Sequence, residues 1–402
     1  MPALAAGGMV AAKDPRGAEA GREILRAGGN ATDAAIAMML ALSVVEPQSS
    51  GIGGGGFLVR YDPKTKRTVT VDGRETAPAA AKPDRFMGAD GKPKPYAQAF
   101  PGGDSVGVPG NVRLAALAHG KWGRLPWAKL FDPAIRYAEQ GYALSFTSAR
   151  YLGLTAQTDR DFPALRALYW AGDAPKAAGT LIRNPALGAL LRRIAREGPD
   201  AFYTGENARA IIAAAGQAPR NPATITQADL TAYRARERPP VCGAYRGYRI
   251  CGMGPPSSGA TTVLQVLGML ERFDLKGMGK DDPRSWHLIG EAMLLAYADR
   301  DLYLGDADFV AVPVKGLIDP AYVAGRSRLI AIDRTLGRYA PGTPPGAPAR
   351  TKAPSSEVPS TTNFVAADGA GEVVTMTSTV EGLFGSQLVA NGYILNNEMT
   401  DF

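Results

Sequence analysis

The spacing of apolar and polar positions divides the chain into stretches of different period. Residues 16–26 read as a helix closed by Gly28-Gly29, and Asn30 caps a second helix from Ala31. That second run, Ala31 to Val45, is apolar except for Thr32, Asp33 and Ser43. It reads as a buried helix, too short and too polar to span a bilayer. Strands are expected at Phe57–Tyr61 and Thr68–Val71, turning at Pro63-Lys64-Thr65-Lys66. The middle is helix-rich, with helices near 126–140, 186–197 and 205–215, and two more follow at 260–272 and 285–300. Phe364–Ala367 and Glu372–Thr379 are β-rich runs separated by Asp368-Gly369-Ala370-Gly371, a hairpin pattern.

One segment breaks every period. Residues 341–360 hold prolines at 341, 344, 345, 348, 354 and 359, a density that no helix or central strand survives, so the segment is expected to be an exposed, extended connection. Thr361-Thr362 follows it and opens the hairpin. A threonine where such a linker meets a strand is placed to become a new N-terminus. There it carries both a nucleophile, its hydroxyl, and a base, its own α-amine.

Composition narrows the chemistry. With 402 residues, 45% hydrophobic, the chain can bury a large core in one or two domains. The net charge of +7 is spread along the sequence without a basic run, which argues against nucleic acid as a partner. The start, Met-Pro-Ala-Leu-Ala-Ala-Gly-Gly, shows no basic n-region, so no signal peptide is visible. Only His119 and His287 are present, which excludes a histidine-based metal cluster and favours a nucleophile that needs no histidine. Gly51, Gly53 and Gly56 fit G-x-G-x-x-G, but they follow a helix and open a strand, the reverse of a dinucleotide site. The run is read instead as a place where backbone packs closely.

Cys242 and Cys251 flank a two-residue turn on Arg246-Gly247, and that register makes them a non-hydrogen-bonded pair with Cα atoms about 4.5 Å apart. The separation permits a bridge, which would indicate an oxidising compartment, and equally permits two unrelated thiols. Arg74, at the end of the second strand, suits a fork for a substrate carboxylate, with pairing to Glu75 or Asp72 as the plain alternative. Asn396-Asn397-Glu398-Met399-Thr400-Asp401 is a polar cluster whose carboxylates suit a substrate ammonium, or simply a polar turn.

Together these residues resemble the γ-glutamyltransferase (γ-glutamyltranspeptidase) family of N-terminal-nucleophile hydrolases. The landmarks run in order: Ala27–Ala35, Gly53–Phe57, Asp72–Pro78, Gly198–Tyr203, Tyr245–Tyr248, Pro255–Gly259, Ala296–Arg300, Tyr303–Asp306, Thr361-Thr362 and Asn396–Phe402. The resemblance implies an α+β fold, a four-layer αββα sandwich made as one precursor. That zymogen would cut itself between Ser360 and Thr361 into a large chain, 1–360, and a small catalytic one starting at Thr361, of which 361–402 is the start. Thr361 would be the nucleophile, supported by Thr379. Arg74 would hold the glutamyl α-carboxylate, and Glu398 and Asp401 its α-ammonium. The expected substrate is glutathione or a related γ-glutamyl amide, with water or an amino-acid or peptide amine as acceptor and neither cofactor nor metal. By resemblance the location is periplasmic or extracellular.

Three departures from the family pattern accompany this. Asn363 follows the Thr pair where many members have His. Glu381 stands where well-known members place an Asn near the substrate amino group. Family members also continue beyond the position of Phe402 through a serine-bearing loop and a Gly-Gly oxyanion hole, so the sandwich is expected to be incomplete at the C-terminus. Each lost oxyanion donor costs about 10²–10³ in rate. The competing expectations are a glutaryl- or cephalosporin-type acylase of the same fold and an inactive, truncated remnant.

Overall fold

The structure, a computed structural model, describes residues 7–349 and 360–401. They sort into two compact units, one built from residues up to 67, 71–237 and 360–401, the other from 68–70 and 238–349. The strands longer than two residues are, in chain order, β1 (Met9–Ala11), β2 (Gly55–Asp62), β3 (Arg67–Gly73), β4 (Arg236–Arg238), β5 (Val241–Tyr245), β6 (Tyr248–Gly252), β7 (Thr361–Ala367) and β8 (Val373–Thr379). Six of them form one sheet in the order β1-β7-β8-β2-β3-β4. The anticipated hairpin is β7–β8, and it starts three residues earlier than the apolar run marks, with Thr361 opposite Thr379. It lies inside the sheet, flanked by β1 and β2.

Alternation along β7 sets its two faces: Thr362, Phe364 and Ala366 are buried, while Thr361 and Asn363 are exposed. On the buried face lies α2 (Ala31–Val45), every residue of which is buried, as its nearly unbroken apolar run requires. α1 (Pro15–Arg26) covers α2 so closely that a Cβ on Gly17 would fall 2.6 Å from Leu42. α3 (Asp132–Gln140) also packs on α2. The expected helix at 126–140 is in fact a 3₁₀ turn, Trp127–Phe131, followed by α3. Pro133 explains the break, since it lacks an N–H to continue a helix and suits the first turn of a new one. Of the four layers expected, the described residues of this unit supply helices and one large sheet; the other sheets among them are two-stranded.

The N-terminus of α2 anchors the far end of the β7–β8 hairpin. Asn30 and Asp33 form a reciprocal capping box. Asp368 Oδ2 then accepts from the Ala31 N–H at 3.2 Å, and Glu372 Oε1 from the Thr32 N–H at 3.2 Å and its hydroxyl at 2.6 Å. Two buried carboxylates thereby satisfy orphan amides at the positive end of the helix. The glycine run does what close packing demands: a Cβ on Gly54 would lie 1.9 Å from the Thr379 carbonyl oxygen.

In the second unit, α4 (Gly259–Leu270), α5 (Pro283–Tyr303) and α6 (Pro320–Ser327) enclose a core around Met269, Leu288, Leu295 and Val323. Arg246 and Gly247 have φ of 49° and 82°, as a tight hairpin turn between β5 and β6 needs, and Cys251 stands opposite Cys242. The two are disulfide-bonded, with Cα atoms 4.1 Å apart. The start of the proline-rich segment is mostly exposed yet held in place. Pro344 is buried, the Gly342 N–H donates to buried Asp299 at 2.8 Å, and the Tyr303 hydroxyl donates to the Gly342 carbonyl at 2.8 Å. Pro354 and Pro359 lie outside the described residues. No helix among those described is long and apolar enough to cross a membrane.

Candidate active site

At the start of β7 three residues form a chain of neutral hydrogen bonds. The Thr361 hydroxyl donates to Thr379 Oγ1 at 3.1 Å, and the Thr379 hydroxyl donates to the Ser360 carbonyl oxygen at 3.1 Å. The Glu381 N–H also donates to Thr379 Oγ1, at 2.8 Å, so the Thr379 oxygen is saturated and its proton is directed at Ser360. The strand register produces this meeting, because Thr361 and Thr379 are cross-strand partners. Beside them, the buried Thr362 hydroxyl donates to Glu46 Oε2 at 3.0 Å; burial pushes the Glu46 carboxyl above its ordinary value despite that bond.

Past β8 the chain enters a loop whose Glu381 has φ of 74°, and Glu381 turns toward Arg74. Arg74 follows β3. Its N–H is held by Asp72 Oδ1 at 2.9 Å and its carbonyl by the Tyr233 hydroxyl at 2.6 Å. Its guanidinium meets carboxylates from four residues: Nη1 lies 3.6 Å from Glu75, and Nη2 lies 3.4 Å from Glu381, 3.5 Å from Asp401 and in direct contact with Glu398. Burial works against the charged guanidinium, but these carboxylates outweigh it and hold Arg74 above the ordinary arginine value. Burial likewise raises Glu75 and Glu398, against the pull of Arg74. The carboxylates of Glu381, Glu398 and Asp401 lie within 4.8 Å of one another, and the Arg74 guanidinium supplies positive charge beside all three.

The sequence-derived residues therefore fall into one neighbourhood: Ser360, Thr361 and Thr379 in a hydroxyl relay, Arg74, Glu381, Glu398 and Asp401 in a charged cluster. Glu381 joins the two, by its backbone to Thr379 and by its side chain to Arg74. Asn363 stands apart, donating its amide to the Met376 carbonyl and to Thr377 Oγ1, each at 3.0 Å. His119 and His287 contact backbone carbonyls of Leu125 and Ala331.

Several supporting residues carry little sequence signal. Asn396 Nδ2 donates to the carbonyls of Gly53 and Gly107, and Asn397 Oδ1 accepts from the Gly382 N–H at 2.7 Å, which together brace the strand ends around Glu398. Glu46, Gln48, Ser49 and Ser50 form a fully buried polar run. Its position, between a wholly buried helix and the glycine run, was the available clue.

Comparison with known proteins places this geometry in context. The gamma-glutamyltranspeptidase family profile matches residues 17–402. A glutathione hydrolase proenzyme of Bacillus subtilis (strain 168) is 38% identical over 407 residues, covering 98% of this chain and 68% of the relative. The crystal structure of Helicobacter pylori gamma-glutamyltranspeptidase is 36% identical with a TM-score of 0.79, covering 84% of this chain and 96% of that one. A cephalosporin acylase from Bacillus halodurans is 30% identical with a TM-score of 0.84, covering 98% of this chain and 70% of the other. The fold is thus α+β of the N-terminal-nucleophile hydrolase type. Matched over nearly its whole length in sequence and superposable in structure, the chain belongs to the gamma-glutamyltranspeptidase family.

Proposed function

We propose that the chain is a self-processing γ-glutamyl hydrolase and transferase in which Thr361 is first the agent of its own release and then the nucleophile. The observation that carries this reading is the hydroxyl relay running from Thr361 through Thr379 to the Ser360 carbonyl. In the first step Thr361 Oγ1 bonds to the Ser360 carbonyl carbon. Its proton passes to Thr379 Oγ1 as the Thr379 proton moves to the Ser360 oxygen, so no isolated charge forms at the carbonyl. The Ser360–Thr361 C–N bond then breaks, the nitrogen takes the proton back from that oxygen by way of the hydroxyls, and an ester joins Ser360 to Thr361 Oγ1. Water cleaves the ester, leaving a Ser360 carboxylate and a free Thr361 with an α-amine.

That amine, with a reference pKa of about 7.7–8.0, accepts the Thr361 hydroxyl proton in the second role. Thr361 Oγ1 attacks the γ-carbonyl of a γ-glutamyl amide, the amine leaves with a proton, and water or another amine resolves the acyl-enzyme. Arg74 faces the substrate α-carboxylate, and Glu381, Glu398 and Asp401 its α-ammonium. Glutathione fits as the γ-glutamyl amide, in line with the name of the Bacillus subtilis relative. An acylase for a non-amino acyl group is the competing reading, supported by the Bacillus halodurans likeness. The carboxylate excess around a single guanidinium favours a ligand that brings an ammonium.

Intact-mass spectrometry of the purified chain tests the proposal. The expected result is a pair of fragments, one ending at Ser360 and one starting at Thr361. A single uncut chain overturns it.

A further inference from the structure

Ser360 is tied at its main-chain carbonyl and at its side-chain hydroxyl. Its carbonyl accepts from Thr379 at 3.1 Å, and its side-chain hydroxyl donates to the Gln48 carbonyl oxygen at 2.8 Å. The residue is only 6% exposed, so neither bond competes with bulk water. Gln48 is itself immobilised. Its carbonyl oxygen also accepts from the Phe384 N–H at 3.2 Å. Its side-chain Oε1 accepts from the Ser148 hydroxyl at 2.8 Å, and Ser148 lies 2.7 Å from Ser145, the N-cap of the helix Phe146–Asp159. Gln48 is therefore a fixed post, its carbonyl reached from the β8 loop and its side chain from the helical layer.

This arrangement has a use before the cut and none after it. Attack by Thr361 Oγ1 on the carbonyl of the preceding residue requires that carbonyl to present one face to the hydroxyl, in a geometry the backbone alone does not impose. A bond to Thr379 by itself leaves Ser360 free to swing about its carbonyl oxygen. A second bond through the side chain, to a post on another element, removes that freedom. We propose that the Ser360 hydroxyl is a positioning group for self-cleavage, holding the scissile carbonyl against Thr379 through its hydrogen bond to Gln48. The inference rests on Thr361 being the self-cleaving residue. It adds that the identity of the residue before the cut is chosen for its hydroxyl, and that the precursor's cleavage rate is set partly by a group that leaves with the large chain.

The test is the rate at which purified precursor of the full chain converts to two fragments, followed by intact mass, for wild type, Ser360→Ala and Ser360→Thr. Losing one buried hydrogen bond at the reacting residue slows conversion about tenfold in Ser360→Ala, and Ser360→Thr, which keeps the hydroxyl, recovers most of it. Folding is controlled in the uncut Thr361→Ala background, where adding Ser360→Ala lowers the melting temperature by only about 1–3 °C, as the loss of one buried hydrogen bond requires, and leaves the circular-dichroism spectrum unchanged. Equal cleavage rates for wild type and Ser360→Ala overturn the inference, as does a Ser360→Thr as slow as Ser360→Ala. Loss of the folded circular-dichroism spectrum in the uncut background also overturns it, since the hydroxyl would then be needed for the fold. If wild type itself stays whole, the Thr361 reading fails and this one with it. Cleaving wild type with an unaffected Ser360→Ala removes only the positioning role.

Discussion

The two halves of the candidate site are built from opposite materials. Around Thr361 the groups are neutral hydroxyls and backbone carbonyls in a short relay. Around Arg74 they are ionisable, one guanidinium among four carboxyl groups, with Glu398 only 4% exposed. Neutral donors and acceptors shuttle a proton without a charge to desolvate, which suits a bond-making centre. Buried charges are costly unless paired, so on the proposed function the carboxyl groups around one guanidinium suit a ligand that brings its own positive charge. On that proposal the difference separates chemistry from recognition, and Glu381 links the two, by its backbone to Thr379 and by its side chain to Arg74.

The sharpest way to break the first half is Thr361→Ala. It removes the hydroxyl at the head of the relay, the proposed attacking group, so self-cleavage is expected to stop and the chain to run as a single species by denaturing electrophoresis. Fragments appearing at the wild-type rate would end the reading of β7 as a nucleophile strand. Thr379→Val should act less completely. It keeps the side-chain shape while deleting the donor to Ser360, and the loss of one such donor slows cleavage by about 10²–10³. A time course of fragment formation measures it, and an unchanged rate would mean that the Thr379 hydroxyl does not polarise the carbonyl.

These predictions rest on features of unequal visibility. Thr361-Thr362 was readable because a proline-rich run stops where an alternating β pattern begins, and β7–β8 starts there. Its partners were less so. β1 contributes only Met9–Ala11 to the sheet, too short for any period to show. Gln48 works through its backbone carbonyl, which every residue possesses, so no side-chain pattern marks it. Glu75 looked like a plain partner for Arg74, and it is one, at 3.6 Å, yet the sequence could not reveal its burial among other carboxylates. The expected division at Ser360 is a covalent one, whereas packing keeps residues 360–401 in the same unit as the sheet they complete.

The charged half is probed by Arg74→Ala. Loss of a charge-assisted, two-pronged contact is worth roughly 1.5–3 kcal/mol, or about 10–100-fold in KM for a γ-glutamyl anilide. Self-cleavage should persist, because the relay does not use the guanidinium. Arg74→Lys keeps the charge but not the planar fork, and should fall between the two. An unchanged KM would remove Arg74 from substrate recognition; abolished self-cleavage would show that the two halves are not separable.

The smallest effect expected is on stability, and its sign follows from burial. Burial raises the folded-state value of Glu75 above the ordinary 4.5, with Glu381 and Asp401 adding to the rise and Arg74 opposing it. The folded protein therefore favours the protonated form. The contribution of Glu75 to stability is complete below its unfolded value and is lost as pH rises through the folded one. Glu75→Gln imitates the protonated acid at every pH. The variant should melt with wild type at pH 4 and about 2 °C above it at pH 8, as followed by circular dichroism across that range. The same substitution tests the partition between the halves, since Glu75 touches Arg74 and not the relay. A Glu75→Gln chain that gains stability at pH 8 while cleaving itself at the wild-type rate would confine the cost of buried charge to recognition. A loss of stability at pH 8 would mean instead that the ionised carboxylate is needed to hold Arg74 in place.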